Sequence, residues 1–288
     1  NAEQEELSIA KPSLSIKAAH FVLWIKDLLE EKYGQQVVEK GGLRVTTTLD
    51  HDIQERAQAS VSAEVNKLTR MRVGNGAAMV TNPSTGEILA MVGSRDYFDD
   101  EHDGKVNITM RLRQPGSSIK PIMYTSGFST GKINPATMWL DIPTCFTVTG
   151  QPLYCPRNYD GSFHGPVQVR FALGNSYNIP AVKSLAYIGV DDMIATASAM
   201  GIKTFKDPSK YGLSLTLGGG EVTMYDMATA FGTLANNGVK VPLNPFIKIE
   251  DYKGKVLYER PIEERIEDLK YFQSKQNDQI QLNTEDMA

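Results

Sequence analysis

Residues 76–93, Gly-Ala-Ala-Met-Val-Thr-Asn-Pro-Ser-Thr-Gly-Glu-Ile-Leu-Ala-Met-Val-Gly, constrain the fold more than any other stretch. Two apolar runs flank Pro83-Ser84-Thr85-Gly86, a tetrad with the residue types of a tight turn, and together they predict a hairpin. Neither arm alternates polar with apolar residues. Strands of that kind need cover on both faces, which predicts central strands of a sheet lying between helices. At 288 residues, with 41% hydrophobic and 22% charged residues, the chain can build one sizeable core and an appendage.

Helical periodicity supplies the cover. After a polar, acidic lead-in, Phe21, Val22, Ile25, Leu28 and Leu29 recur at helical spacing within 18–33, predicting an amphipathic helix. Gly41-Gly42 breaks it, Leu43–Leu49 reads as a strand, and Asp50 reads as the N-cap of a helix from Ile53 to about Lys67. These form an αβα segment expected to stand apart from the later core. Residues 96–104 are acidic and loop-like, and 131–161, rich in Pro, Gly and aromatic residues, read as an irregular insertion. Further helices are predicted over 169–174, from Pro180, over 191–200, and from Tyr225 to Asn236, with Thr223 at the start and Asn237-Gly238 as the C-cap. Leu213–Leu217 alternates and predicts a strand running into Gly218-Gly219-Gly220; that loop lacks the Gly-Lys-Ser/Thr sequel of a phosphate cradle. Residues 246–249 and 256–258 predict two more strands, and the final stretch is polar.

Two short motifs carry chemistry. In Arg113-Gln114-Pro115-Gly116-Ser117-Ser118-Ile119-Lys120-Pro121, a Pro-Gly break precedes Ser-x-x-Lys, and residues 117–124 read as helix. Ser117 and Lys120 then share a face, roughly 5–6 Å apart at Cβ, whereas Ser118, two residues from Lys120, does not face it. A serine hydroxyl needs a base to become a nucleophile, and a lysine serves only if burial and positive potential at a helix start lower its pKa. Pro121 biases Lys120 away from helical angles and confines the pair to a first turn. The second motif is Ser176-Tyr177-Asn178, a turn ahead of the helix at Pro180. In an extended turn, Ser176 and Asn178 point the same way, into a cleft; the plain alternative is that Asn178 merely caps the next helix.

Composition narrows the field. A net charge of −4 with scattered Lys and Arg gives no nucleic-acid footprint, and the longest apolar run, residues 21–25, is too short to span a membrane. The first residue is Asn1 and no targeting signal opens the chain. His20, His51, His102 and His164 lack metal-ligand spacing, so no metal or cofactor is expected. Cys145 and Cys155 end a short alternating hairpin that turns at Gly150-Gln151-Pro152. They can pair in an oxidising compartment or remain two buried thiols in a reducing one.

With both motifs in place, the sequence resembles the transpeptidase domain of class A penicillin-binding proteins, the bifunctional peptidoglycan synthases. Gly-Gly-Leu-Arg-Val-Thr-Thr-Thr-Leu-Asp (41–50) resembles that family's linker after its glycosyltransferase domain, and Arg-Gln-Pro-Gly-Ser-Ser-Ile-Lys-Pro resembles its active-serine helix. The phrases over 158–183 and 217–238 also match, so the resemblance runs from about residue 18 to 260. It implies an α/β (α+β) penicillin-binding/β-lactamase-like fold, an antiparallel sheet between helical layers with an all-helical subdomain. It divides the chain into a linker, 1–72, and a transpeptidase domain, 73–288. It makes Ser117 the nucleophile toward D-Ala-D-Ala stem peptides and β-lactams, Lys120 its base, and Ser176 the relay to the leaving amine. Asn178 would orient Lys120 and hold the substrate amide. The location implied is the extracytoplasmic face of a bacterial membrane, with an upstream anchor and glycosyltransferase domain.

One departure is large. The family's third motif, Lys-Thr-Gly or Lys-Ser-Gly on an edge strand, does not occur, and Lys203-Thr204-Phe205 falls too early, in a stretch read as helical. The resemblance therefore implies that a second chain, or strands after residue 288, supply the motif and complete the sheet. Three functions stay open at this point: a D,D-transpeptidase, a penicillin-recognising or scaffolding domain without turnover, and a serine β-lactamase. The last lacks a deacylating glutamate phrase.

Overall fold

The structure, a computed structural model, describes residues 16–147 and 153–261. The acidic lead-in up to residue 15, the polar final stretch and the hairpin tip at Gly150-Gln151-Pro152 lie outside the described residues.

The elements in order are α1 (Ala19–Tyr33), α2 (Gln35–Lys40), β1 (Arg44–Thr47), α3 (His51–Lys67), β2 (Ala78–Asn82), β3 (Glu87–Val92), α4 (Lys120–Ser129) and β4 (Met138–Asp141). There follow β5 (Gly165–Gln168), α5 (Val169–Gly174), α6 (Asn178–Ile188), α7 (Val190–Met200), α8 (Met224–Ala235), β6 (Phe246–Glu250) and β7 (Val256–Glu259). Local signals set several boundaries. The Asp50 carboxylate accepts from the Ile53 N–H at 3.0 Å, and the Thr223 hydroxyl accepts from the Asp226 N–H at 3.0 Å, so both residues cap the helices they precede.

The α/β class holds and, among the described residues, the named strands pair antiparallel in three small sheets, ordered β1-β6-β7, β2-β3 and β4-β5. The predicted hairpin forms, with Ala78 opposite Val92 and a bulge between Val80 and Thr81. Only β3 is buried as expected; β2 is half-buried along its length. The edge of β3 is closed by the αβα segment. Thr48 Oγ1 donates to the Ile88 carbonyl at 2.9 Å and accepts from its N–H, while Gln54 does the same for Met91. That segment therefore does not stand apart: β1 pairs with β6, and Phe21, Ile25 and Leu29 of α1 bury against Ile88, Met91 and Ile249. These contacts make a sheet body from residues far apart in sequence.

The second core is helical. Ile122, Met123 and Tyr124 of α4 pack with Leu185 and Ile188 of α6, Met193 and Ala197 of α7, and Ala230 of α8. Leu213–Leu217 joins this body as a 3-10 turn, not the predicted strand. With no neighbouring strand to pair it, the segment curls, buries Leu215 and delivers Gly218 at φ 88°. A Cβ on Gly218 would lie 2.3 Å from the Gly116 nitrogen, so the glycine run serves close backbone approach behind the Ser117 turn. Arg113 and Val222 lock the same junction, each N–H donating to the other's carbonyl at 2.9 Å. Lys203-Thr204-Phe205 is irregular rather than helical.

Candidate active site

The Ser-x-x-Lys segment begins as a 3-10 turn, Gly116–Ile119, and continues as α4. Lys120 takes φ −56° and ψ −42°, helical in spite of Pro121, because a proline in the first turn removes an N–H that has no intrahelical acceptor. The turn divides its residues between solvent and core. Ser117 is exposed, and its hydroxyl makes no hydrogen bond among the described residues; Lys120 is 1% exposed. Ser118 Oγ is occupied, donating to the Pro115 carbonyl at 2.6 Å, which agrees with Ser117 as the free hydroxyl of the pair.

Lys120 Nζ has three partners: the Ser176 carbonyl at 2.6 Å, Ser176 Oγ at 3.1 Å and Asn178 Oδ1 at 2.8 Å. The structure thus gathers Lys120, Ser176 and Asn178 around one nitrogen. Ser117 lies three residues ahead of Lys120 on the solvent side and is not among these partners. Burial lowers the Lys120 pKa to about 8, while the three oxygens favour the ammonium. The arrangement orders the donors and acceptors of both forms. As an ammonium, Lys120 fills all three contacts. As an amine it keeps two N–H groups, which suit the carbonyls of Ser176 and Asn178, since these can only accept, and it gains a lone pair able to take a proton. Asn178 Nδ2 donates to the Arg157 carbonyl at 2.8 Å, which fixes the amide with Oδ1 toward Lys120.

The geometry of Ser-x-Asn differs from the extended turn expected. Ser176 has φ 56° and follows α5 as its left-handed C-terminal residue: its N–H donates to the Leu173 carbonyl and the Tyr177 N–H to the Ala172 carbonyl. This double contact is the usual helix-ending motif with serine where glycine is common. It turns both Ser176 oxygens onto Lys120. Asn178 is the first residue of α6 and does not cap it with its side chain. The cap comes from Asn158, whose Oδ1 accepts from the Asn178 N–H at 2.8 Å and the Ile179 N–H at 3.3 Å.

Sequence reasoning missed Asn158, together with Asp141 and His164, which bond to it or to each other; no local pattern marks a cap supplied from 20 residues away. The hairpin between Cys145 and Cys155 is closed by a disulfide, beside a bridge between Phe146 and Tyr154. On the Ser118 side lies a mostly apolar cavity of about 430 Å³, lined by residues including Met79, Pro115, Met224 and Phe231. Among the described residues, no group of three or more His, Cys, Asp or Glu side chains could hold a metal ion, and no helix is long and apolar enough to cross a membrane.

Comparison with known proteins identifies the family. The family described as "Penicillin binding protein transpeptidase domain" matches residues 76–285. Penicillin-binding protein 2D of Bacillus subtilis is 34% identical over 237 residues, covering 81% of this chain and 33% of the relative. Penicillin-binding protein 1B of Vibrio cholerae is 32% identical over 234 residues, 80% of this chain and 30% of the relative. The chain thus spans about a third of the length of these relatives. Among solved structures, penicillin-binding protein 1A from Haemophilus influenzae superposes with a TM-score of 0.71 at 20% identity, covering 84% of this chain and 50% of that one. PonA1 from Mycobacterium tuberculosis in complex with penicillin V gives 0.67 at 23% identity, over 81% and 62%. A family match over most of the chain, relatives of the class A type and a shared fold lead to one statement: the chain belongs to the penicillin-binding protein transpeptidase family.

Proposed function

We propose that this chain carries the D,D-transpeptidase centre of a peptidoglycan synthase, with Ser117, Lys120, Ser176 and Asn178 as its working residues. Lys120, as the neutral amine, takes the Ser117 proton while Ser117 Oγ attacks the carbonyl carbon between the two D-alanines of a stem peptide. A tetrahedral intermediate collapses, the C–N bond breaks, and Ser176 passes a proton to the departing D-alanine amine. The amine of a neighbouring stem then attacks the Ser117 ester, returns a proton to the site and leaves as a crosslinked peptide. A β-lactam enters by the same first step and remains as the acyl-enzyme. The observation that carries this reading is the buried Lys120, lowered to about 8 and held by both Ser176 and Asn178.

In this reading, residues 1–72 are the linker following a glycosyltransferase domain and 73–288 the transpeptidase domain, on the extracytoplasmic face of a bacterial membrane and anchored from upstream. The 288 residues contain no Lys-Thr-Gly. The test is covalent labelling with a fluorescent penicillin, followed by mapping of the modified peptide. Label on Ser117, absent from Ser117→Ala, supports the reading; equal labelling of both proteins contradicts it. Labelling without crosslinking of stem peptides assigns the chain to penicillin recognition without turnover.

A further inference from the structure

Behind Ser-x-Asn lies a buried polar cluster that the reaction scheme does not use. Asp141, at the end of β4, is fully buried, and Asn158 is 5% exposed. Asn158 Nδ2 donates to both Asp141 carboxylate oxygens, at 3.0 and 2.8 Å, and to the Ser162 carbonyl at 2.9 Å. Asp141 also accepts from the His164 N–H at 3.0 Å and pairs with His164 Nδ1 at 2.6 Å. The other ring nitrogen, Nε2, lies 3.1 Å from Asp160 Oδ2. The cluster reaches the motif at two points: Asn158 Oδ1 caps the first turn of α6 through Asn178 and Ile179, and the His164 ring stacks on Tyr177, with centroids 3.9 Å apart and planes at 13°.

Chemistry dictates the polarity of this cluster. An ionised carboxylate only accepts, so Asp141 compels Asn158 to turn its NH2 inward and its carbonyl outward, toward the free N–H groups of α6. Those N–H groups belong to the residue that supplies Oδ1 to Lys120 and to the residue after it. The neighbouring Arg157 carbonyl, one residue before Asn158, fixes the remaining end of the Asn178 amide. Both the first turn of α6 and the free end of the Asn178 amide are therefore held by 157–158, with Asn158 itself held by the Asp141 carboxylate.

We propose that Asn158, oriented by Asp141 and backed by the His164–Tyr177 stack, is a positioning residue for acylation: it sets the start of α6 so that Asn178 meets Lys120. This rests on the acylation reading given above. It predicts that Asn158 acts through Asn178 and not on its own account.

The experiment is a double-mutant cycle on the rate of Ser117 acylation by penicillin in the full chain, with Asn158→Ala, Asn178→Ala and both, each followed across pH. Unmaking one buried hydrogen-bonded group lowers the wild-type rate roughly tenfold or more. On the Asn178→Ala background the same change has little further effect, because the group it positions is gone. The pH midpoint of acylation is displaced in Asn158→Ala, since Lys120 loses a fixed acceptor. Additive losses, or a uniformly lower rate with an unmoved midpoint, overturn the proposal. Should Asn158→Ala fold poorly, Asp141→Asn, which keeps shape and removes the charge that orients Asn158, replaces it in the same cycle with the same two outcomes. A wild type that is not acylated at Ser117 overturns the functional reading and this proposal with it; a wild type that is acylated but gives an additive cycle overturns the proposal alone.

Discussion

In the sheet body, Thr48 and Gln54 each bond both the N–H and the carbonyl of one β3 residue, Ile88 and Met91 respectively, so buried polar side chains act as a substitute neighbouring strand. In the helical body, Ser176 and Asn178 direct their oxygens at a single titratable nitrogen, Lys120. The first arrangement pairs neutral groups completely and leaves nothing to react. The second buries a group that can carry charge, and burial holds its pKa at about 8, well below the usual lysine value. The contrast teaches where to look for chemistry in such a fold: at the buried polar cluster whose centre can lose a proton.

The strongest way to break this contrast is Lys120→Arg. A guanidinium keeps its protons near neutrality and cannot serve as the base, so the penicillin acylation rate should fall by about 10²–10⁴-fold, the contribution of a general base. Rapid acylation by the arginine variant would show that another group takes the proton.

A second change attacks the other body. Ile88→Ala removes a fully buried side chain of β3 and should lower unfolding stability by about 2–5 kcal/mol. The acylation rate of the folded fraction should be unchanged. Denaturant melts combined with labelling kinetics check both halves, and a slowed rate in fully folded protein would mean that the two bodies are coupled through the site.

A smaller effect separates backbone from hydroxyl within the helical body. Ser176 occupies a left-handed position that glycine adopts freely, so Ser176→Gly should keep the turn, with stability within about 1 kcal/mol of wild type. Loss of the hydroxyl should slow turnover of a thioester or peptide substrate while the Ser176 carbonyl still holds Lys120. Unchanged turnover would remove Ser176 from the proton path.

The helical body was the more legible from sequence. Thr223 caps α8 from the residue directly before it, and the Ser-x-x-Lys and Ser-x-Asn spacings single out Lys120, Ser176 and Asn178. What escaped was everything decided by distant partners. Leu213–Leu217 has the alternation of a strand and curls for want of a neighbour; β4 and β5 pair across the stretch read as an irregular insertion. Ser176 sits where a glycine would have announced a helix end, and with serine there the stretch reads as an extended turn. The sheet body hid for the same reason: β1 meets β6 from opposite ends of the described chain, and Thr48 and Gln54 look like ordinary loop and helix residues until β3 is placed beside them.

The central claim is that the buried Lys120 is the base of the site, and the pH dependence of Ser117 acylation tests it most directly. The ammonium cannot accept a proton, so the rate should rise with pH, about tenfold per unit well below the Lys120 pKa, and level off above a midpoint of about 8. The observed second-order rate of penicillin acylation would be followed from acid to alkaline pH on folded protein. A rise with that midpoint, missing from the residual reaction of Lys120→Arg, is the expected result; a rate that stays flat through this range in the wild type would contradict the account.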